Sequence, residues 1–212
     1  MGILEQMQAQ AAEMTGWRHD LHRHPELSFE ERRTAGLVAD RLRAWGLEPA
    51  TGIGGTGVVA VIEGAAPGPS IALRADMDAL PMDDEGGREW QSTRAGVAHA
   101  CGHDGHTSAL LGAAKYLAAN PPARGRVVLL FQPAEENGLG AQAMLDDGLL
   151  QRFPFDEVYA FHNMPLFAAG TLGVRTGPAM NGYVVWEVRV EGVVGHGAAF
   201  FKATDPLPAA AR

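Results

Sequence analysis

Eight consecutive residues, His99-Ala100-Cys101-Gly102-His103-Asp104-Gly105-His106, hold the only cysteine and three of the eight histidines of this 212-residue chain. Thiolate and imidazole are donors that borderline-soft ions such as zinc accept, and they must be deprotonated and close together to bind one. The glycines at 102 and 105 permit tight turns, so the spacing predicts a loop on which these side chains converge instead of spreading along a helix or strand. A lone cysteine is also commonly buried packing, and histidines also gather in polar loops. On residue types alone, metal binding stands beside those plainer readings.

Three other segments carry ligand-type side chains just past strand-like apolar runs. Asp76 and Asp78 follow residues 71–74, Glu135 and Glu136 follow residues 127–131 and the strand-ending Pro133, and His162 closes the run 158–161. Paired glutamates and turn histidines are commonplace one at a time. In open α/β sheets, however, ligands collect at the carboxyl ends of strands, so these segments and the Cys101 loop can meet in one cleft.

The elements that must position them follow from apolar periodicity. Helices are expected over 3–14, over 30–45 with Gly46 as C-cap, over 107–119 and over 140–150; strands are expected over 58–62, 71–74, 127–131 and 158–161. This alternation predicts an α/β fold, a mostly parallel mixed sheet flanked by helices. The glycine string 52–57 is not a phosphate loop, because no Gly-Lys-Ser/Thr follows and a strand stands where a helix would be required. Near Gly182 the pattern changes: 183–190 reads as a strand with one wet face, and Asp205-Pro206 starts a helix over 207–211. The domains expected are therefore 1–181 and an incomplete second domain, 182–212.

Composition narrows the function classes. With 46% hydrophobic and 20% charged residues the chain suits a globular protein with one sizeable core. A formal charge of −8 argues against a nucleic-acid partner, and the arginines between 18 and 43 alternate with acids as on a solvated helix face. No apolar run reads as a signal peptide or membrane span, and one cysteine excludes an intrachain disulfide; a reducing cytoplasmic location suits a thiolate ligand.

In family order across nearly the whole chain, the segments 18–31, 54–57, 73–81, 99–106, 131–136 and 161–165 resemble the M20 family of metal-dependent amidohydrolases. The resemblance is to the branch of hippurate hydrolases, N-acyl-amino-acid amidohydrolases and auxin-conjugate hydrolases. It implies a zinc-exopeptidase-like catalytic domain with two divalent transition-metal ions (zinc, manganese, cobalt or nickel), and a lid through which the full-length protein forms a homodimer. It further implies that Cys101, His103, Glu136 and His162 are metal ligands, that Glu135 is the catalytic base, and that the substrate is a small N-acyl amino acid cleaved to a carboxylate and a free amino acid. Asp78 stands in the family's His-x-Asp motif position, where Asp76 replaces the histidine, which suits Asp78 to orienting a ligand imidazole. His196, in Val193-Val194-Gly195-His196-Gly197, resembles the lid histidine that helps stabilise the oxyanion, although Phe200 and Phe201 follow where a proline is usual; a plain loop histidine is the alternative.

Relatives in that family continue beyond residue 212 and supply a late histidine ligand, so the second reading is a truncated fragment that keeps a partial metal site and acts at most as a binding module. A purely structural zinc site around Cys101 is a third. Glu135 disfavours it, because a site closed by four protein ligands needs no base.

Overall fold

The computed structural model describes residues 2–180, 182 and 184–211. The chain forms two compact units, Met1–Pro165 and Leu166–Arg212.

The first unit is built on a five-stranded sheet of order β1-β2-β4-β3-β5, with β1 Ala50–Ile53, β2 Gly57–Glu63, β3 Ser70–Asp76, β4 Arg126–Gln132 and β5 Glu157–Ala160. β2 alone runs against the other four strands, so the sheet is mixed and mostly of one direction. The apolar runs of β2 and β4 are buried on both faces, as central strands covered by helices must be. In β4, Val127, Leu129 and Phe131 enter a core with Trp17, Val38, Leu42 and Leu111, whereas Val128 and Leu130 enter a second core with Ile53, Met144 and Leu149. The two-residue period of the strand assigns these side chains to opposite faces. The first core is supplied by α2 (Ala11–Arg23), α3 (Arg32–Ala44) and α4 (His103–Ala119), the second by α5 (Gly140–Asp146) and α6 (Leu149–Arg152).

Several elements differ from the periodicity. The first helical pattern divides into α1 (Ile3–Ala9) and α2, which runs on to Arg23, and the pattern over 140–150 divides at Gly148, whose φ of +80° breaks the helix. β1 was not anticipated: Thr51 and Gly52 carry no strand signature, and the strand exists through pairing with β2, with a register shift between Thr51 and Ile53. The loop expected at 99–106 is shorter than its glycines suggest. Gly102 takes φ +93° and caps α4, and His103, Asp104, Gly105 and His106 already form its first turn.

In the second unit, Val193 and Thr204 form a bridge around a 3-10 helix at Gly197–Lys202, followed by the short α7 at Leu207–Ala210, where Asp205 Oδ1 accepts from the Leu207 N–H at 3.0 Å. The strand expected over 183–190 does not form across residues 184–190, which have no pairing strand, and Tyr183 lies outside the described residues. Among the described residues no helix is long and apolar enough to cross a membrane.

Candidate metal centre

Parallel pairing brings three strand ends to one edge. Asp76 is the register partner of Gln132, and Arg74 that of Ala160, so Asp78, Glu135, Glu136 and His162 all follow at the same carboxyl-terminal side. The Cys101 segment is drawn there by paired backbone hydrogen bonds between Leu80 and Ala98, each 3.0 Å. The start of α4 is held by Thr107 Oγ1 donating to the Asp76 carbonyl at 2.8 Å.

His103 is the hub. It is fully buried, and its Nδ1 lies 2.8 Å from the Asp78 carbonyl oxygen, an acceptor, so Nδ1 carries the proton and Nε2 presents a lone pair. That Nε2 lies 3.7 Å from Glu136 Oε1, 3.8 Å from Glu135 Oε2 and 3.7 Å from Asp76 Oδ2. His162 is presented in the same tautomer: Nδ1 donates to the Asn163 carbonyl at 2.7 Å, and Nε2 faces Cys101 Sγ at 3.4 Å. Among the described residues, three sets of donors have their atoms within 4.8 Å of one another: Cys101 with His103 and His162; His103 with Glu135 and Glu136; and Asp76 with His103 and His106.

Asp78 clamps the glutamate turn. Its Oδ1 accepts from the Glu135 N–H and its Oδ2 from the Glu136 N–H, both at 3.0 Å, while Ser28 donates to Oδ2 at 2.7 Å. Its carboxylate also lies 3.3 Å from His103 Nδ1. Burial raises its pKa, but the bonds from His103, Ser28 and the two backbone amides outweigh this and hold it below the usual range. Asp78 therefore stays an ionised acceptor that fixes both the imidazole and the two glutamates.

The same turn rests on Glu31, fully buried, which accepts from the Ala134 N–H at 2.8 Å and from the Thr56 hydroxyl at 2.5 Å. Ala134 has φ +49°, and a Cβ on Gly140 would stand 1.6 Å from the Pro133 carbonyl oxygen. Glu135 and Glu136 thus sit at the head of a tight turn closed by the Gly138 N–H on the Glu135 carbonyl at 2.8 Å, not on an extended loop. Their side chains differ in exposure, 37% for Glu135 and 19% for Glu136.

These residues fit a cation on two independent counts. His103 Nε2 and Glu136 Oε1 are both buried with no hydrogen-bond partner, a condition that costs about 1–3 kcal/mol per atom when nothing relieves it. Their separation of 3.7 Å is close to the spacing of about 3.4 Å that a tetrahedral ion with bonds of about 2.1 Å imposes on two nitrogen or oxygen donors. The second count is charge. Burial, together with the negative charges of Glu136, Glu135 and Asp76, pushes the Cys101 thiol up to about 12, and burial with Glu135 and Asp78 likewise raises Glu136. A bound cation would reverse that field and favour the thiolate.

Not every histidine of the 99–106 cluster is brought in. His99 is 5% exposed with both ring nitrogens unpaired, burial pushes it down to about 4, and no set of three donors among the described residues includes it. His196 belongs to the second unit, where it is exposed and its Nδ1 accepts from the Ala198 N–H at 3.2 Å, capping the 3-10 helix. His106, from the 99–106 cluster, adjoins the centre, and Asn163, Glu31 and Ser28 surround it without having been given a role in sequence. Asn163 lies against Gly102, where a Cβ would stand 2.5 Å from its Oδ1, a contact that the residue string does not reveal.

The model of "Peptidase family M20/M25/M40" matches residues 72–212. A hippurate hydrolase of Campylobacter jejuni is 46% identical over 193 residues, which is 91% of this chain and 50% of its own length. An N-acetyl-L-cysteine deacetylase of Bacillus subtilis is 43% identical over 196 residues, 92% of this chain and 47% of its own length. A crystal structure from Bacillus subtilis, described as a dinuclear metal binding peptidase from the M20 family, aligns with a TM-score of 0.76 at 38% identity, over 81% of this chain and 48% of that one. The chain spans about half the length of the curated relatives it matches.

Proposed function

The chain belongs to peptidase family M20/M25/M40, and from that premise we propose that it carries the metal-binding and proton-transfer residues of an amidohydrolase that cleaves N-acyl amino acids. The substrate class follows the names of its relatives, hippurate hydrolase and N-acetyl-L-cysteine deacetylase. The observation that carries the reading is the pair of buried, unpaired donors His103 Nε2 and Glu136 Oε1, beside the more exposed carboxylate of Glu135.

Cys101, His103, Glu136 and His162 would hold divalent transition metal, two ions in the complete site, as zinc, manganese, cobalt or nickel. When bound, such ions polarise an amide carbonyl and lower the pKa of a water. His103 and His162 keep their Nε2 lone pairs toward the centre because their Nδ1 protons are committed to carbonyl oxygens. Asp78 holds the Glu135 and Glu136 amides, so the Glu135 carboxylate stays beside the reacting centre. Glu135 takes a proton from the attacking water, whose oxygen bonds to the acyl carbon. It then passes that proton to the departing nitrogen as the C–N bond breaks. Asp78 acts as a positioning residue throughout. His196 is proposed as a further substrate-stabilising residue, and a homodimer through the lid as the assembly, both on the family resemblance.

The test is hydrolysis of N-benzoyl-glycine and N-acetyl-cysteine by the polypeptide that carries this chain, read as release of free amino acid. Turnover is expected to vanish on dialysis against a chelator and to return with zinc, manganese, cobalt or nickel. Hydrolysis that survives complete metal removal would contradict the proposal.

A further inference from the structure

His106 is placed to look like a metal ligand, in a buried set with Asp76 and His103. Its hydrogen bonds assign it a different task. Nδ1 lies 2.6 Å from Asp76 Oδ1, a carboxylate that Arg74 also pairs with at 2.9 Å. The Asn163 backbone N–H, which can only donate, reaches Nε2 at 3.0 Å, so the lone pair sits on Nε2 and the His106 proton on Nδ1, facing the Asp76 carboxylate. That lone pair is already engaged. The Asn163 backbone N–H holds it, and the Asn163 side-chain amide, whose Oδ1 is placed 2.5 Å from the same nitrogen, must be turned to present its NH2 group there, because an oxygen cannot donate.

The Asn163 side chain in turn lies over Gly102, where no Cβ would fit. Asn163 is also the residue after His162, and Gly102 the residue after Cys101. Cys101 precedes α4, and His162 follows β5; their donor atoms must nevertheless stay 3.4 Å apart. We propose that His106 is a positioning residue and not a metal ligand: by accepting the Asn163 N–H it fastens the His162 segment to the first turn of α4, and so sets the Cys101–His162 spacing. The inference rests on the proposed metal centre at Cys101, His103 and His162.

Cadmium NMR on the whole chain separates the roles directly. With ¹¹³Cd bound and ¹⁵N-labelled histidine, coupling is expected at Nε2 of His103 and His162 and none at His106. Coupling at His106 Nε2 would overturn the inference while leaving the metal centre intact, and coupling at none of the three histidines would overturn both. Two substitutions then probe which hydrogen bond matters. His106→Gln can put an amide oxygen near the Nε2 position and still accept the Asn163 N–H, whereas His106→Asn can reach Asp76 but leaves that N–H unpaired. Cadmium affinity should fall about 10- to 100-fold in His106→Asn and stay within about threefold of wild type in His106→Gln, the loss expected when a ligand's support is removed. Equal losses in both variants, or no loss in either, would overturn the positioning role. The wild-type couplings decide the question even if His106→Asn fails to fold.

Discussion

Glu135→Gln is expected to lower kcat for an N-acyl amino acid by about 10²-fold or more while leaving metal content unchanged. The substitution keeps the side-chain shape and removes the proton acceptor. Its backbone N–H still donates to Asp78 Oδ1, so the turn that carries Glu136 is not disturbed. Glu135 is also the more exposed of the two glutamates, so its exchange for a neutral amide leaves no buried charge behind. Glu136→Gln makes the contrast, since it alters a buried, otherwise unpaired oxygen and is expected to release metal. If Glu135→Gln loses metal and Glu136→Gln keeps it, the two roles are exchanged.

A second large effect belongs to the thiol. Removal of metal leaves Cys101 among Glu136, Glu135 and Asp76, with its pKa at about 12. At pH 8 its thiolate fraction is then about 10³-fold below that of a free cysteine, whose pKa is about 8.5. The thiolate ultraviolet absorbance of the metal-free protein should accordingly stay absent at pH 8 and develop only as the pH approaches 12. Addition of zinc at pH 8 should produce a thiolate signal with release of a proton. Cys101 is the only cysteine, and Cys101→Ala provides the baseline that subtracts tyrosine ionisation. A metal-free thiol that titrates between 8 and 9 would mean that neither burial nor the carboxylates bear on Cys101.

Much of this centre was legible because its donor types are scarce and stand at the ends of apolar strands. Asp78, Cys101, His103, Glu135, Glu136 and His162 come from three strand ends and one helix start, and parallel pairing of β3, β4 and β5 is enough to collect the strand ends. What the residue pattern could not convey was the second tier of hydrogen bonds. Glu31 lies 103 residues from Ala134, and its role exists only because a backbone N–H in a left-handed turn needs an acceptor there. His99, His103 and His106 look equivalent in a string of residues. The fold separates them: His99 is buried with no partner, His103 aims a lone pair at the carboxylates, and His106 has its lone pair taken by Asn163. The helical start at His103 was hidden for a related reason. Glycines at 102 and 105 read alike as turn formers, yet only Gly102 adopts the left-handed conformation, and Gly105 continues the helix. The strand expected over 183–190 does not form across the described residues 184–190 on the opposite ground, since alternation alone does not make a strand without a neighbour to pair with.

The most direct test of the centre is metal analysis of the wild-type chain and Cys101→Ala, each purified without chelator and then reconstituted with cobalt. Wild type is expected to retain at least one transition-metal ion per chain, and its cobalt form to display a sulfur-to-metal charge-transfer band. In Cys101→Ala the bound metal should fall sharply and the band should disappear, because the Sγ atom facing His162 at 3.4 Å has been removed. Equal metal content in the two proteins, with no sulfur band in either, would take Cys101 out of the site and contradict the proposed centre.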